Sequence, residues 1–363
     1  AIGGDVAGPV ESTGGRIGRV VSRAIGNDSG GAIRGNVTSD SGIGSIVTVR
    51  GDGIIGEVDA GRGPIGTVKA VRGDIGGSIH ADGSIRTVVA VRGNIAAPVT
   101  SGSGSIRTVK SVRGSIRGGI TAQGPVNTVV AVGGDVAAPV ESTGGRIGRI
   151  VAKKTGSSGG SITGGATASG GIGPIVAVGG DIDLRGGQIS AGSTVDVVQA
   201  VRGSILGDGQ DGTKEVSVSG GNLGRLQAVR GDIDGVAVDV TATGDGGRGR
   251  INKVAAVRSS AGITDSLLEA DGRLGLVRST GQGGGRSGGN LSATTLEAGE
   301  LGRVLVDGDP ARAKTRLRGG EWLTVSPRRE RDAGERGWEA APVPVAVVHA
   351  DAALIVVAKP AGL

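Results

Sequence analysis

Eight basic residues recur at near-regular intervals along this chain: Arg50, Arg72, Arg92, Arg113, Lys154, Arg202, Arg230 and Arg258. Two residues beyond the equivalent position stand Asp52, Asp74, Asp135, Asp181 and Asp232. If the chain stacks so that these positions superpose, the cations fall about 4.8 Å apart, and each neighbouring pair repels by about 0.9 kcal/mol even at water's dielectric. Two chemistries accommodate such a column. Either the aspartates interleave with the arginines as a solvated ion-pair lattice, or the column binds a polyanion such as acidic polysaccharide, lipid headgroup or nucleic acid. With aromatics at 1 % there is no platform for base stacking, so single-stranded nucleic acid is the poorest fit of these partners.

The stock for catalysis is small. His80 and His349 are the only histidines and there is no Cys, which removes thiolate nucleophiles, disulfides and zinc-thiolate centres together. Asp208, Asp211 and Asp245 sit in Gly-rich stretches where carbonyls could gather round calcium, but the repeated calcium-binding nonapeptide is absent. Gly207 to Lys214 nearly spells a phosphate loop, yet it ends Thr213-Lys214 in the wrong order with no helix following. Gly283-Gly-Gly-Arg-Ser-Gly288 fits a dinucleotide pattern only because it is nearly all Gly. Arg50-Gly51-Asp52, Arg72-Gly73-Asp74 and Arg230-Gly231-Asp232 spell an adhesion tripeptide, which corner chemistry alone also produces. Thr67, Thr87, Thr108 and Thr128 form one Thr column where an ice-binding solenoid presents two. No metal and no cofactor is implied.

The element that must position the basic column is a repeat. Ile65-Gly-Thr-Val-Lys-Ala-Val-Arg72, Ile85-Arg-Thr-Val-Val-Ala-Val-Arg92 and Ile106-Arg-Thr-Val-Lys-Ser-Val-Arg113 are near-copies, each followed by a second apolar pair: Ile75 and Ile79, Ile95 and Val99, Ile116 and Ile120. Anchors at Ile17, Ile43, Ile65, Ile85, Ile106, Val126, Ile147, Ile172, Val195, Leu223, Ile251, Leu274 and Leu301 mark thirteen coils of 20 to 28 residues, and that period means stacking. A longer duplication overlies it, since Ala1 to Ser22 returns almost letter for letter as Ala131 to Ala152. β-branched residues at the apolar positions, with Gly, Asp, Asn and Ser between them, predict short strands and tight corners. The expected fold is therefore all-β: a parallel β-solenoid over residues 1–306. A right-handed coil is favoured, because the third hexad of the left-handed alternative would begin with Gly77 or Ala97 instead of a large aliphatic residue.

Composition agrees. Of 363 residues 77 are Gly, and Phe, Tyr, Met and Cys are absent, so Ile, Val, Leu and Ala must fill a thin repeated core. Hydrophobic residues at 37 % exceed what a disordered Gly-rich linker carries, and Gly lacks the every-third-residue period of collagen. No apolar run is long enough for a transmembrane helix. The net charge of +6 permits contact with a polyanion without demanding it.

After about residue 306 the composition changes: Gly thins, Trp322 and Trp338 appear, and Arg and Pro cluster. Leu301-Gly-Arg-Val-Leu-Val-Asp-Gly308 with Thr315 to Val325, and Val343-Pro-Val-Ala-Val-Val-His-Ala-Asp351 with Leu354-Ile-Val-Val-Ala-Lys359-Pro360-Ala-Gly362-Leu363, resemble pseudouridine synthases that modify ribosomal and transfer RNA. The first pair resembles the end of their alpha-L RNA-binding module, the second the opening strands of their catalytic domain. The resemblance implies a separate small α/β segment over 307–363, RNA as partner, and Asp351, Lys359, Pro360 and Gly362 as its motif. The family's catalytic Asp lies in a later Arg-Leu-Asp motif, which Leu363 precedes, so the segment as given carries no catalytic residue. Two functions are therefore expected as alternatives. The first is a non-enzymatic structural or adhesive scaffold, extracellular or at a cell surface, whose basic column takes up anionic polymer. The second is the front part of a cytoplasmic RNA-modifying enzyme.

Overall fold

A computed structural model describes residues 1–25, 30–156, 159–209, 214–242, 249–281 and 290–301, together with the strands at 303–306, 309–310, 323–326, 346–350 and 355–358. The chain divides into two units, Ala1–Arg328 and Arg329–Leu363. The first is a parallel β-solenoid, and the described residues contain no helix.

Each coil has three strand segments, clearest between Ile65 and Ala81. The long strand Ile65–Ala70 turns Ile65, Val68 and Ala70 inward, the short strand Asp74–Ile75 contributes Ile75, and Ile79–Ala81 contributes Ile79 and Ala81. None of these six inward side chains is more than 1 % exposed. The next coils repeat the arrangement in register, with Ile65 partnered by Ile85 and Ile85 by Ile106. The ladder of anchors runs unbroken from Ile17 through Ile43 to Leu274 and Leu301. A second ladder joins Ile33, Ile54, Ile75, Ile95, Ile116, Val136, Ile162 and Ile182. One β-branched residue above another fills the core without aromatics, because each layer repeats the shape of the last.

The corners explain the glycines. At the turn after Ile75 and its equivalents, a Cβ on Gly77 would lie 2.0 Å from the Gly56 carbonyl oxygen, and one on Gly118 1.8 Å from that of Ala97. At these two positions only Gly fits, while the equivalent position holds Ala at Ala97 and Ala138 and a buried Leu at Leu184. It is the position that, read as a hexad, lacks its large aliphatic residue at Gly77 and Ala97.

Serines enter the core where their hydroxyls reach a carbonyl of the preceding coil. Ser101 Oγ donates to Gly83 O at 2.9 Å, Ser111 Oγ to Gly93 O at 2.8 Å and Ser142 Oγ to Gly124 O at 2.9 Å. Thr48, in the same column as Ser111, is fully buried with its Oγ1 unpartnered.

At the far end of the first unit the pairing changes direction. Leu301 still stacks on Leu274, but Arg303–Val306 pairs antiparallel with Leu323–Ser326. Among the described residues of the second unit, Ala346–Ala350 pairs antiparallel with Ile355–Ala358. The helical part expected of that segment lies outside the described residues. Among the described residues, no helix is long and apolar enough to cross a membrane.

Candidate polyanion-binding face

The long strands set the geometry of the site. In the regular coils the anchor and the residues three and five further on point inward, so positions one, two, four and six, and the corner position seven, face outward; in the strands at Asn222–Ala228 and Arg250–Ser259 the fourth-position residues Gln227 and Ala255 are buried instead. Arg50, Arg72, Arg92, Arg113, Lys154, Arg202, Arg230 and Arg258 all occupy position seven and all are exposed. The register of the preceding strands stacks them coil over coil, with Gly133 and Gly179 interrupting the column. The Gly that follows Arg50, Arg72, Arg92, Arg113, Arg202 and Arg230 is a consequence of the stacking. A Cβ on Gly93 would meet the Gly73 carbonyl oxygen at 2.2 Å, and Gly73 itself has φ of +78°.

The ion-pair lattice expected between this column and the neighbouring aspartates is not what the structure contains. Asp74 Oδ1 accepts the backbone N–H of Asn94 at 2.7 Å, Asn94 Oδ1 accepts that of Ser115 at 2.9 Å, and Ser115 Oγ that of Asp135 at 3.1 Å. The series continues from Ser161 N–H to Asp135 Oδ1 at 2.9 Å, Asp181 N–H to Ser161 Oγ at 3.3 Å, Ser204 N–H to Asp181 Oδ1 at 2.7 Å, and Asp232 N–H to Ser204 Oγ at 3.0 Å. One column of short oxygen-bearing side chains thus satisfies the backbone of the next coil at a corner where strand pairing lapses. Asp52 is engaged differently, by Arg34, which also holds Asp5. The Asp of each Arg-Gly-Asp tripeptide thus has a partner within the chain, Arg34 for Asp52 and backbone N–H groups for Asp74 and Asp232, although Asp52 and Asp74 remain exposed.

Ion pairs among the described residues join Arg34 with Asp5 and Asp52, His80 with Asp82, Arg185 with Asp183, and Lys214 with Asp239 and Glu269. Arg72, Arg92, Arg113, Lys154, Arg202, Arg230 and Arg258 take part in none of them.

The column is one edge of a wider basic face, which the sequence reading missed. The twelve eight-residue segments from anchor to corner, Ile17 to Gly281, carry nineteen of the chain's 40 Lys and Arg but only one of its 34 Asp and Glu, Asp196. Besides the corner residues these are Arg19, Arg23, Lys69, Arg86, Arg107, Lys110, Arg149, Lys153, Arg225, Lys253 and Arg278, every one exposed or half-exposed. The signal was available by sorting charges according to outward position. It is invisible in the net charge, because the acidic residues lie elsewhere in the sequence and offset it.

Two notches open where the long strands begin. One, of about 300 Å³, is lined by Arg16, Gly44, Gly66, Thr67, Ser84 and Arg86; the other, of about 340 Å³, by Arg146, Gly171, Gly173, Ser193, Thr194 and Asp196. They are related by the internal duplication, Arg16 corresponding to Arg146 and Gly44 to Gly173. The first pairs two arginines with two hydroxyls, which suits an oxyanion. In the second, Asp196 introduces a negative charge.

Three carboxyls among the described residues have shifted acidities: Asp5, Asp232 and Asp183, the last held below the usual range by its hydrogen bonds with the Arg185 guanidinium. The Arg34 guanidinium holds the Asp5 carboxyl below the usual range, helped by the N–H groups of Ala32 and Gly31. Burial pushes the Asp232 carboxyl up, but N–H donation from Gly262, Ala261 and Ser260 and the Ser260 hydroxyl outweigh it, and the net shift is downward.

The Thr67, Thr87, Thr108 and Thr128 column is in register on this face. Asp208 accepts the Gly186 N–H at 3.3 Å, while Asp211, Asp245 and Gly283 to Gly288 lie outside the described residues. So do Asp351, Lys359, Pro360 and Gly362. No protein-family model, curated protein or solved structure compared with the chain matches it.

Proposed function

We propose that the solenoid is a non-enzymatic scaffold that binds a polyanion along its long-strand face. The observation that supports this is the charge segregation: nineteen basic side chains against one acidic residue in these segments, with Asp74 and Asp181 at the next corner engaged by backbone N–H groups. Cations held in register on one face repel one another, and a ligand bearing regularly spaced anions relieves that repulsion. A scaffold of this kind suits an extracellular or surface setting.

The test is retention on heparin and its salt dependence. Binding through many phosphate-like contacts weakens steeply and log-linearly with salt. The expected result is steep dependence in the native protein and tighter retention in Asp196→Asn. Binding that is insensitive to salt, or absent at low salt, would remove the proposal.

The second reading, RNA binding in a pseudouridine-synthase context, rests on the C-terminal resemblance and on the antiparallel pair at Ala346–Ala350 and Ile355–Ala358, which fits opening strands of a catalytic domain. Binding of structured RNA that is lost on removing residues 329–363 would favour it; undiminished binding would exclude it.

A further inference from the structure

The basic face is not uniformly polar. Among its Arg and Lys run outward valines, at the sixth position in nine of the twelve coils and at the fourth position in six, where Lys69, Lys110 and Arg278 are among the residues that replace them; Val89 and Val91, Val130 and Val132, and Val176 and Val178 are examples. All six are half-exposed, and the register lays Val89 beside Lys110, Lys110 beside Val130 and Val130 beside Val151. The sixth-position column continues through Val49, Val71, Val112, Val201, Val229 and Val257.

We propose that this face docks on a membrane surface containing acidic phospholipid, a proposal that rests on the polyanion-binding reading and names its partner. A wholly hydrophilic polyanion would leave the valine columns facing water and gain nothing from them. A bilayer takes aliphatic side chains at the boundary between headgroups and acyl chains, while flexible Lys and Arg reach the phosphates beside them. The apolar component here is aliphatic only. Phe and Tyr are absent and both tryptophans lie beyond the solenoid coils, at Trp322 and Trp338, so the face has no aromatic ring on which a sugar or base could stack. A second copy of the chain is a poor occupant, because face-to-face packing would set nineteen cations against nineteen. An acidic bilayer complements both the charge and the valines of an extended parallel face.

The experiment is vesicle flotation at near-physiological salt, with phosphatidylcholine alone and with phosphatidylcholine plus phosphatidylserine, run beside heparin chromatography. Native protein is expected to float only with the mixed vesicles. The variant Val89→Thr/Val91→Thr/Val130→Thr/Val132→Thr keeps β-branched shape at outward positions and should melt as the native protein does. Its vesicle affinity should fall by about tenfold or more while heparin elution stays unchanged, because burial of several methyl groups is lost and no charge is. Arg72→Gln/Arg92→Gln/Arg113→Gln should weaken both. Heparin retention without flotation, flotation with neutral vesicles, or equal flotation of the valine variant would overturn the lipid proposal, the first of these pointing to a polysaccharide or nucleic acid. Loss of both vesicle and heparin binding in the native protein would remove the polyanion reading as well.

Discussion

The carboxylate of Asp74 accepts the backbone N–H of Asn94 at 2.7 Å, one coil further on. Asp74 stands two residues from Arg72, yet its Oδ1 is turned along the stack. The consequence reaches both stability and function: the acidic column stitches coils together, and Arg72, Arg92 and Arg113 beside it stand exposed.

The stitch can be measured at Asp181, whose Oδ1 accepts the Ser204 N–H at 2.7 Å. Asp181→Ala should cost about 1–2 kcal/mol by leaving that donor unpaired, while Asp181→Asn, which keeps an acceptor oxygen, should cost well under half as much. Equilibrium urea unfolding of the two variants decides it. Equal losses would mean that charge, and not backbone satisfaction, is what the column supplies.

Acid should loosen the solenoid in a particular way. The Asp5 and Asp232 carboxyls are held below their unfolded value of about 3.9. Their contribution is therefore complete above that value and disappears as the pH falls through the lower folded values. Asp232→Asn should consequently differ most from the native protein near neutrality, and the gap in melting temperature should close between about pH 5 and pH 2. A gap that widened on acidification would show that the folded acidity of Asp232 is not depressed.

Thr48 and Ser111 occupy the same inward column and should respond oppositely to losing their hydroxyls. Thr48 Oγ1 is buried without a partner, whereas Ser111 Oγ donates to Gly93 O at 2.8 Å. Thr48→Val should be neutral or stabilise by about 1 kcal/mol, and Ser111→Ala should destabilise by a similar amount. Thermal melts of the two single variants are sufficient.

Much of the fold was legible because a solenoid writes its register into the sequence. Every anchor from Ile17 to Leu301 was recognisable by its spacing, and each one pairs with the next in space. The corner arginines were legible for the same reason, since Arg92 and Gly93 recur as a unit forced by the Gly73 carbonyl. The partner of Asp74 was not. Separation in sequence suggested Arg72, but the nearer donor is a backbone N–H twenty residues away, and backbone groups leave no mark on composition. The hint lay in what replaces Asp along that column: Asn94, Ser115, Ser161 and Ser204, all short acceptors. Lys69, Arg86, Arg107 and Arg149 escaped notice because they occupy different outward positions and join one face only after inward residues are separated from outward ones.

The most direct measurement pairs stability with heparin retention in Arg72→Gln/Arg92→Gln/Arg113→Gln. All three arginines are exposed, in consecutive coils, and take part in none of the ion pairs among the described residues. Removing them relieves like-charge repulsion, so the melting temperature should hold or rise, while retention on heparin drops and its salt dependence becomes shallower by about three contacts' worth. A fall in melting temperature with heparin retention unchanged would contradict the basic face as a binding surface and restore the arginines to a structural role.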